Sequence, residues 1–258
     1  MWESLTQSVL RLGLRKLPID IEMRLQSILE SRQLSAETMI LGYINGFFPM
    51  GNESGGPEWR CPPQRGIIPI DEYRIPRNVK RLMRQQRFEI RVNTAFEATL
   101  KECQSREESW ISPELADIYA ELNHRGLITT VEAWQDDQLV ASIFGTTIGS
   151  YYSGESQFSK VADAGKVAMV HLMKGLRCGG FLLHDAQYVT DYLKRYGAFD
   201  IPRDEYRQQL LNAIASPAQF DLPSEEINTP DESTRTKSES PAKPAPRKQV
   251  IEGAAVLS

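Results

Sequence analysis

Apolar residues recur at helical spacing through the first fifty positions and again over 112–123, while between 127 and 153 they alternate or run on as they do in strands. The stretch 5–14 is amphipathic and 21–31 repeats the pattern. A third helix begins at Ser35, a suitable N-cap, with Thr38 at the capping-box position and Met39, Ile40, Tyr43 and Ile44 at helical spacing. Gly46 and Pro49 stop it, and the segments 51–57 and 62–63 read as loop. Residues 74–87 predict a helix with Pro76 in its first turn, and 94–104 predict another that opens on a capping box of Thr94 and Glu97. Ser112 caps a helix that starts with Pro113, turns Leu115, Ile118, Tyr119 and Leu122 inward and stops at Gly126. Apolar runs on either side of Gln135-Asp136-Asp137-Gln138, continued after Gly149, predict consecutive antiparallel strands. A helix over 166–178 ending at Gly179-Gly180 and a short buried strand over 181–186 complete the pattern. Helices, a meander, a helix and one more strand, without repeats, make an α/β (α+β) chain.

Composition narrows the class. With 258 residues, 41% apolar and 25% charged, the chain suits one large or two modest globular domains. Cys61, Cys103 and Cys178 are odd in number and far apart, and His124, His171 and His184 are scattered, so neither a disulfide framework nor a metal site is expected. No run of eighteen apolar residues occurs, and Glu3, Arg11, Arg15 and Lys16 interrupt the N-terminal stretch, so the expectation is a cytoplasmic protein without a membrane span or secretory signal. From 221 to 258 aromatics vanish and Ser, Pro, Lys and Glu take over, which predicts a disordered tail.

The formal charge of -4 argues against a nucleic-acid partner only until its distribution is considered. Arg77, Lys80, Arg81 and Arg84 fall at i, i+3, i+4 and i+7, so four cations share one helix face, and residues 71–91 hold 7 basic against 3 acidic side chains. Such a face serves either as a solvated surface or as a phosphate contact.

Six short segments carry a resemblance. They are Gly46-Phe47-Phe48-Pro49, Trp59 with the Pro-rich stretch to Arg65, Glu108-Ser109-Trp110-Ile111-Ser112, Gly154-Glu155-Ser156-Gln157-Phe158-Ser159, Asp185-Ala186-Gln187, and the run from Tyr196 to Pro202. In identity and order, over about 175 residues, they resemble the leucyl/phenylalanyl-tRNA-protein transferases. The resemblance implies a small N-terminal domain over 1–66 with a helical extension, a catalytic domain of the GCN5-related N-acyltransferase type over 67–220, and the tail over 221–258. It also implies a monomeric enzyme that moves leucine or phenylalanine, sometimes methionine, from aminoacyl-tRNA to proteins beginning with Arg or Lys. That transfer marks the acceptors for N-degron degradation, with no metal and no diffusible cofactor.

The chemistry replaces an ester with an amide, so alignment of amine and carbonyl is the main task, and positioning can supply roughly 7 to 11 kcal/mol. The attacking amine must also shed a proton. Asp185 ends an apolar strand, where burial is expected to raise its pKa, and alternation puts Gln187 on the same side, so the two form a candidate relay. By resemblance Glu155 grips the amino group of the transferred residue, Trp110 stacks on the terminal adenosine with Met50 as its partner, and Arg77, Lys80, Arg81 and Arg84 hold the acceptor stem. Ile143, Phe144, Tyr152, Leu172, Leu176 and His184 would line the pocket for the aminoacyl side chain, though each also suits ordinary core packing.

The chain departs from the family pattern at His184, Gln157 and Tyr192, where an apolar residue, Met and His are usual. The first two bear on side-chain preference. Two other readings stand beside the transferase. An acetyl-CoA-dependent acyltransferase should carry a Gln/Arg-x-x-Gly-x-Gly/Ala loop, but the corresponding place reads Lys160-Val161-Ala162-Asp163-Ala164-Gly165. A protein of this fold that binds tRNA or N-termini without transfer has no need of Glu155, Asp185 and Gln187 together.

Overall fold

Helix α1, Ile19–Ser31, precedes α2, Ala36–Ile44, whose first turn is closed by the expected reciprocal cap. The Thr38 amide donates to Ser35 Oγ at 3.3 Å and the Ser35 amide to Thr38 Oγ1 at 2.9 Å. Gly46, at φ +83°, turns the chain out of α2 into a hairpin of β1, Phe48–Gly51, and β2, Pro57–Arg60. Strand β3, Gln64–Ile68, then enters a second and larger sheet, so it runs straight through residue 66, where the sequence puts the domain boundary. The computed structural model describes residues 19–31, 33–51, 57–107 and 109–222. The helix expected over 5–14, most of the loop over 51–57, Glu108, and the tail beyond 222 lie outside the described residues.

Next come α3, Arg77–Arg84, β4, Glu89–Val92, α4, Phe96–Gln104, and α5, Pro113–His124. The meander β5, Ile128–Gln135, β6, Gln138–Ile148, and β7, Tyr151–Ser159, is antiparallel throughout, as the alternation predicts. Its first turn places Asp136 and Asp137 at φ +50° and +56°, the left-handed pair that a two-residue hairpin of matching twist requires. After it follow α6, Ala164–Cys178, β8, Leu183–Gln187, α7, Asp191–Lys194, β9, Phe199–Pro202, and α8, Arg203–Ala215.

One cap differs from expectation. Helix α4 begins at Phe96 without a side-chain cap from its own N-terminal residues. Instead Glu132 of β5 accepts from the amides of Thr94 and Ala95, both at 2.8 Å, from the hydroxyls of Thr94 and Thr130, and from the Trp134 indole. Burial pushes its carboxyl up, but these donors outweigh it and hold the group below its usual range. A carboxylate offered from the sheet satisfies more orphan amides than a local Glu97 would, and Thr94 turns toward it.

The large sheet has the order β4-β5-β6-β7-β8-β3-β9, and only β7 and β8 run parallel. Helices cover both faces. On one, α2, α4, α5 and α8 enclose Tyr43, Phe48, Tyr119, Phe144, Tyr151 and Tyr206; on the other, α3 and α6 enclose Val79, Ile143, Tyr152, Leu172 and Leu176. Adjacent strand residues go to opposite cores, Ile143 from Phe144 and Tyr151 from Tyr152, as the two-residue period of a strand demands. Past α8, Phe220 lies so close over Gly175 that an added Cβ would sit 2.1 Å from its ring, and the Gln219 amide donates to the Gly179 carbonyl at 3.2 Å. The last described residues thus strap across α6. Among the described residues no helix is long and apolar enough to cross a membrane.

Candidate active site

Parallel strands cannot be joined by a hairpin, so α6 carries the chain from the end of β7 back to the start of β8. The ladder between them is short: Tyr151 pairs with Leu183, Tyr152 with His184, and Ser153 with Asp185. There it ends, while β7 continues to Ser159 and β8 to Gln187. Crevices at the carboxyl ends of such strands are where open sheets bind ligands. Side chains bridge the split: Gln187 Nε2 donates to Ser153 Oγ at 3.4 Å and to Glu155 Oε2 at 3.2 Å.

A β-bulge puts Glu155 at this place. Phe144 pairs with Ser156 and Gly145 with Gly154, leaving Glu155 as the extra residue on β7. Gly145 admits no side chain, since a Cβ would lie 2.3 Å from the Ser153 carbonyl oxygen. Glu155 is buried, its Oε1 included, and its Oε2 also accepts from the Tyr119 hydroxyl at 3.0 Å. Its other oxygen, Oε1, has no hydrogen-bond partner among the described residues. Burial raises the pKa of Glu155, and the surrounding hydroxyls of Tyr43, Thr146, Tyr119 and Ser153 offset only part of that. Tyr119 in turn meets the Trp110 ring edge to face, with centroids 6.3 Å apart at 76°, and its hydroxyl lies 3.4 Å from that of Tyr43. Trp110, Tyr119, Glu155 and Gln187 therefore form one contiguous line.

Asp185 has a different environment, and it overturns the expectation that burial raises its pKa. Its carboxylate is fully buried and takes a fork of two bonds from Arg65, Nε to Oδ1 at 2.8 Å and a terminal nitrogen to Oδ2 at 2.6 Å. The hydroxyls of Tyr151 and Tyr206 add bonds of 2.8 and 2.7 Å to Oδ2, and the Gln187 amide donates to Oδ1 at 2.8 Å. Desolvation alone would push the group up, but the Arg65 charge and these donors prevail and hold it below the ordinary carboxylate value of 3.8. A carboxylate so saturated has no lone pair aimed at an opening. Asp185 and Gln187 do share a side of the sheet, as alternation predicts, but what joins them is the bond from the Gln187 amide, which holds Gln187 at φ +60°.

With this geometry in place, comparison with known proteins decides the family. The sequence profile of the leucyl/phenylalanyl-tRNA protein transferases matches residues 67–211, and the profile of their N-terminal domain matches 32–63. The chain belongs to this family. The leucyl/phenylalanyl-tRNA–protein transferase of Herpetosiphon aurantiacus is 44% identical over 191 residues, which cover 74% of this chain and 100% of that one. The transferase of Paramagnetospirillum magneticum is 41% identical, covering 74% and 94%, and that of Salinibacter ruber 38% identical, covering 70% and 80%. Among solved structures, the C-terminal domain of a protein described as a lysylphosphatidylglycerol synthetase from Agrobacterium fabrum aligns with 66% of this chain and 79% of its own. Its identity is 11% and its TM-score 0.34, a level at which nothing carries over.

The remaining residues singled out in this transferase-family sequence fall in three places. Trp110 lies at one end of the line, and Gly51, the residue after Met50, leaves room for its backbone: a Cβ there would be 3.0 Å from the Trp110 carbonyl oxygen. Ile143, Tyr152, Leu172, Leu176 and His184 all belong to the layer between the sheet and α6, closely packed, whereas Phe144 lies on the opposite face against Tyr119. His184 stands edge-on to Tyr152 at 5.1 Å, with Nδ1 3.1 Å from Met173 Sδ, and burial lowers its pKa to about 4. Gln157 and Tyr192 line a cleft of about 620 Å³ together with Arg106, Asp163 and Lys166. On α3, Val79 and Leu82 are buried, while Arg77, Arg81 and Arg84 are exposed with no ion pair among the described residues; Lys80 is half-buried. Sequence reasoning missed Tyr119 as a polar contact and Arg65 as the partner of Asp185. The first was legible only as an inward helix position, and the second shows as a lone cation just before Gly66-Ile67-Ile68.

Proposed function

We propose that the chain transfers leucine or phenylalanine, and also methionine, from aminoacyl-tRNA to the N-terminal amine of proteins that begin with Arg or Lys, acting as a cytoplasmic monomer that marks them for N-degron degradation. The line from Trp110 through Tyr119 and Glu155 to Gln187, at the split between β7 and β8 of a chain in this family, is the observation that carries the reading. In the reaction the acceptor amine forms a C–N bond to the ester carbonyl, the bond from that carbonyl to the ribose oxygen breaks, the ribose hydroxyl is restored, and the amine gives up a proton.

Trp110 offers its face to the terminal adenosine, a contact worth roughly 1 to 3 kcal/mol, with Met50 as the apolar surface beside it. Glu155 engages the amino group of the transferred residue. Its unpartnered Oε1 supplies the acceptor, and its raised pKa favours proton exchange near neutrality more than that of Asp185 does. The amide of Gln187 is held by Glu155 and by the Asp185 bond to its backbone, so it can orient the ester without ionising. On this reading the aminoacyl side chain reaches the layer of Ile143, Tyr152, Leu172, Leu176 and His184 only if those packed residues part to admit it, and Phe144, on the opposite face beside Tyr119, belongs to the Glu155 side instead. Arg77, Lys80, Arg81 and Arg84 hold acceptor-stem phosphates. The reading keeps a small domain over 1–66, a catalytic domain over 67–220 and a tail over 221–258, although the first boundary falls within β3 of the large sheet.

The test is transfer from radiolabelled leucyl-, phenylalanyl- and methionyl-tRNA to a peptide beginning with Arg, using the purified full chain. Label is expected in the peptide and not in the same peptide acetylated at its N-terminus. Absence of transfer from all three charged tRNAs would refute the reading.

A further inference from the structure

Arg65 is 1% exposed and stands among the largest side chains that the fold buries completely. A guanidinium so deep in a core is maintained only if each of its nitrogens finds an acceptor and its charge is matched. Here both conditions hold. Two of its donors form the fork to Asp185, and a third, from its other terminal nitrogen, reaches the Gly46 carbonyl at 3.1 Å. Its flat faces lie against Phe48, 4.3 Å to the ring centroid, and Tyr206, 4.6 Å, so it is sandwiched between two aromatic rings.

These contacts join separate parts of the chain, beside a direct edge-to-face contact of Phe48 with Tyr188 at 5.6 Å. Gly46 and Phe48 begin the arm 46–51, which runs through Met50 to Gly51 against Trp110. Asp185 lies on β8 and fixes the Gln187 amide two residues on. Tyr206 belongs to α8 and closes the sandwich from behind. One planar cation thus ties the arm beside Trp110 to the strand end that carries Gln187. Resting on the function proposed above, we infer that Arg65 is a positioning residue for aminoacyl transfer: it sets the arm 46–51 against the β7–β8 split, and the part of Asp185 in the reaction is to hold Arg65 and the Gln187 backbone in place. Asp185 itself touches no reacting atom.

A positioning unit and a proton acceptor leave different kinetic signatures. Loss of an acceptor lowers kcat about 10²- to 10⁴-fold at nearly constant KM. Loss of alignment for a bound ester shows first in the KM for aminoacyl-tRNA, and two residues that act through one contact give effects that do not multiply. The experiment compares wild type, Arg65→Lys, Asp185→Asn and the double variant for transfer from phenylalanyl-tRNA over a range of tRNA concentrations and from pH 5.5 to 8.5, with folding followed by thermal melting. Both substitutions keep volume and polarity close to the original, and Arg65→Lys keeps the charge, so a folded protein is available even if Asp185→Asn melts early. Each single variant is expected to raise the KM for phenylalanyl-tRNA at least fivefold with kcat within about tenfold of wild type. The double variant should lie within threefold of the worse single, and the acid limb of the rate profile should survive in Asp185→Asn. A fall in kcat at unchanged KM in Asp185→Asn, with that limb gone, would overturn the inference, as would KM effects that multiply in the double variant. Wild type inactive with every charged tRNA would instead refute the proposed function and take this inference with it.

Discussion

Two buried carboxylates on neighbouring strands, Glu155 on β7 and Asp185 on β8, show that burial alone does not decide what an acid does. Desolvation pushes both pKa values up. At Asp185 a cation on two bonds and three further donors reverse the shift; at Glu155 only neutral hydroxyls and an amide are present, one oxygen has no partner, and the shift stands. The saturated carboxylate is a fixture of the fold. The unsaturated one keeps a buried oxygen with no hydrogen-bond partner among the described residues. What separates them is a single guanidinium, brought from a strand 120 residues earlier in the chain.

The two acids should differ most in what their loss does to stability. Removing one member of a buried ion pair leaves the other uncompensated, so Asp185→Ala should lower unfolding free energy by about 3–5 kcal/mol, a large part of what such a domain has. Glu155→Gln exchanges a group that resists ionisation for a neutral one of the same shape and should change it by no more than about 1.5 kcal/mol. Urea unfolding at pH 7 checks both, and equal losses would erase the distinction.

A smaller effect comes from His184, which shares β8 with Asp185 but faces the opposite core. Its pKa of about 4, against an ordinary 6.5, means that it is neutral when folded and protonates more readily when unfolded. The stability it allows is complete above pH 6.5 and is lost as pH falls toward 4, roughly 2 kcal/mol of it between pH 7 and pH 5. His171 carries the same shift and adds to the slope, so His184→Leu should flatten the pH dependence over that interval by about half. An unchanged slope would mean that His184 is not held neutral by burial. Asp185, depressed below 3.8, should contribute its share down to more acid conditions, because that share is lost only as pH falls through its folded value.

The least structural effect is expected where cations are exposed. Unlike Arg65, the side chains of Arg77, Arg81 and Arg84 are in solvent on α3. Replacing all three with Ala should leave melting nearly unaltered and reduce the salt slope of tRNA binding by about 1 for each phosphate contact removed. A slope equal to that of wild type would make the face a solvated surface only.

Local features were the most legible in the sequence. Caps at Ser35 and Ser112 work across three residues, and both form as the spacing predicts. The meander follows from alternation and from the Asp136-Asp137 turn. Non-local choices were not legible. Glu132 replaces Glu97 as the cap of α4 because β4 and β5 bring it to the helix start, which periodicity within 94–104 cannot show. The extra residue of the bulge at Glu155 depends on the register against Gly145, and the opposite shift at Asp185 depends on where β3 is inserted, between β8 and β9. Tyr119 was legible as core and not as a hydrogen-bond donor, because its ring obeys the helix period and its hydroxyl answers to Glu155.

The most direct measurement is the pH–rate profile of transfer from phenylalanyl-tRNA for wild type, Glu155→Gln and Asp185→Asn, side by side. Wild type should lose activity on the acid side with a midpoint above the ordinary 4.5 of a glutamate, Asp185→Asn should keep that limb, and the residual activity of Glu155→Gln should lack it. A limb that persists in Glu155→Gln and disappears in Asp185→Asn would contradict the assignment of the two carboxylates.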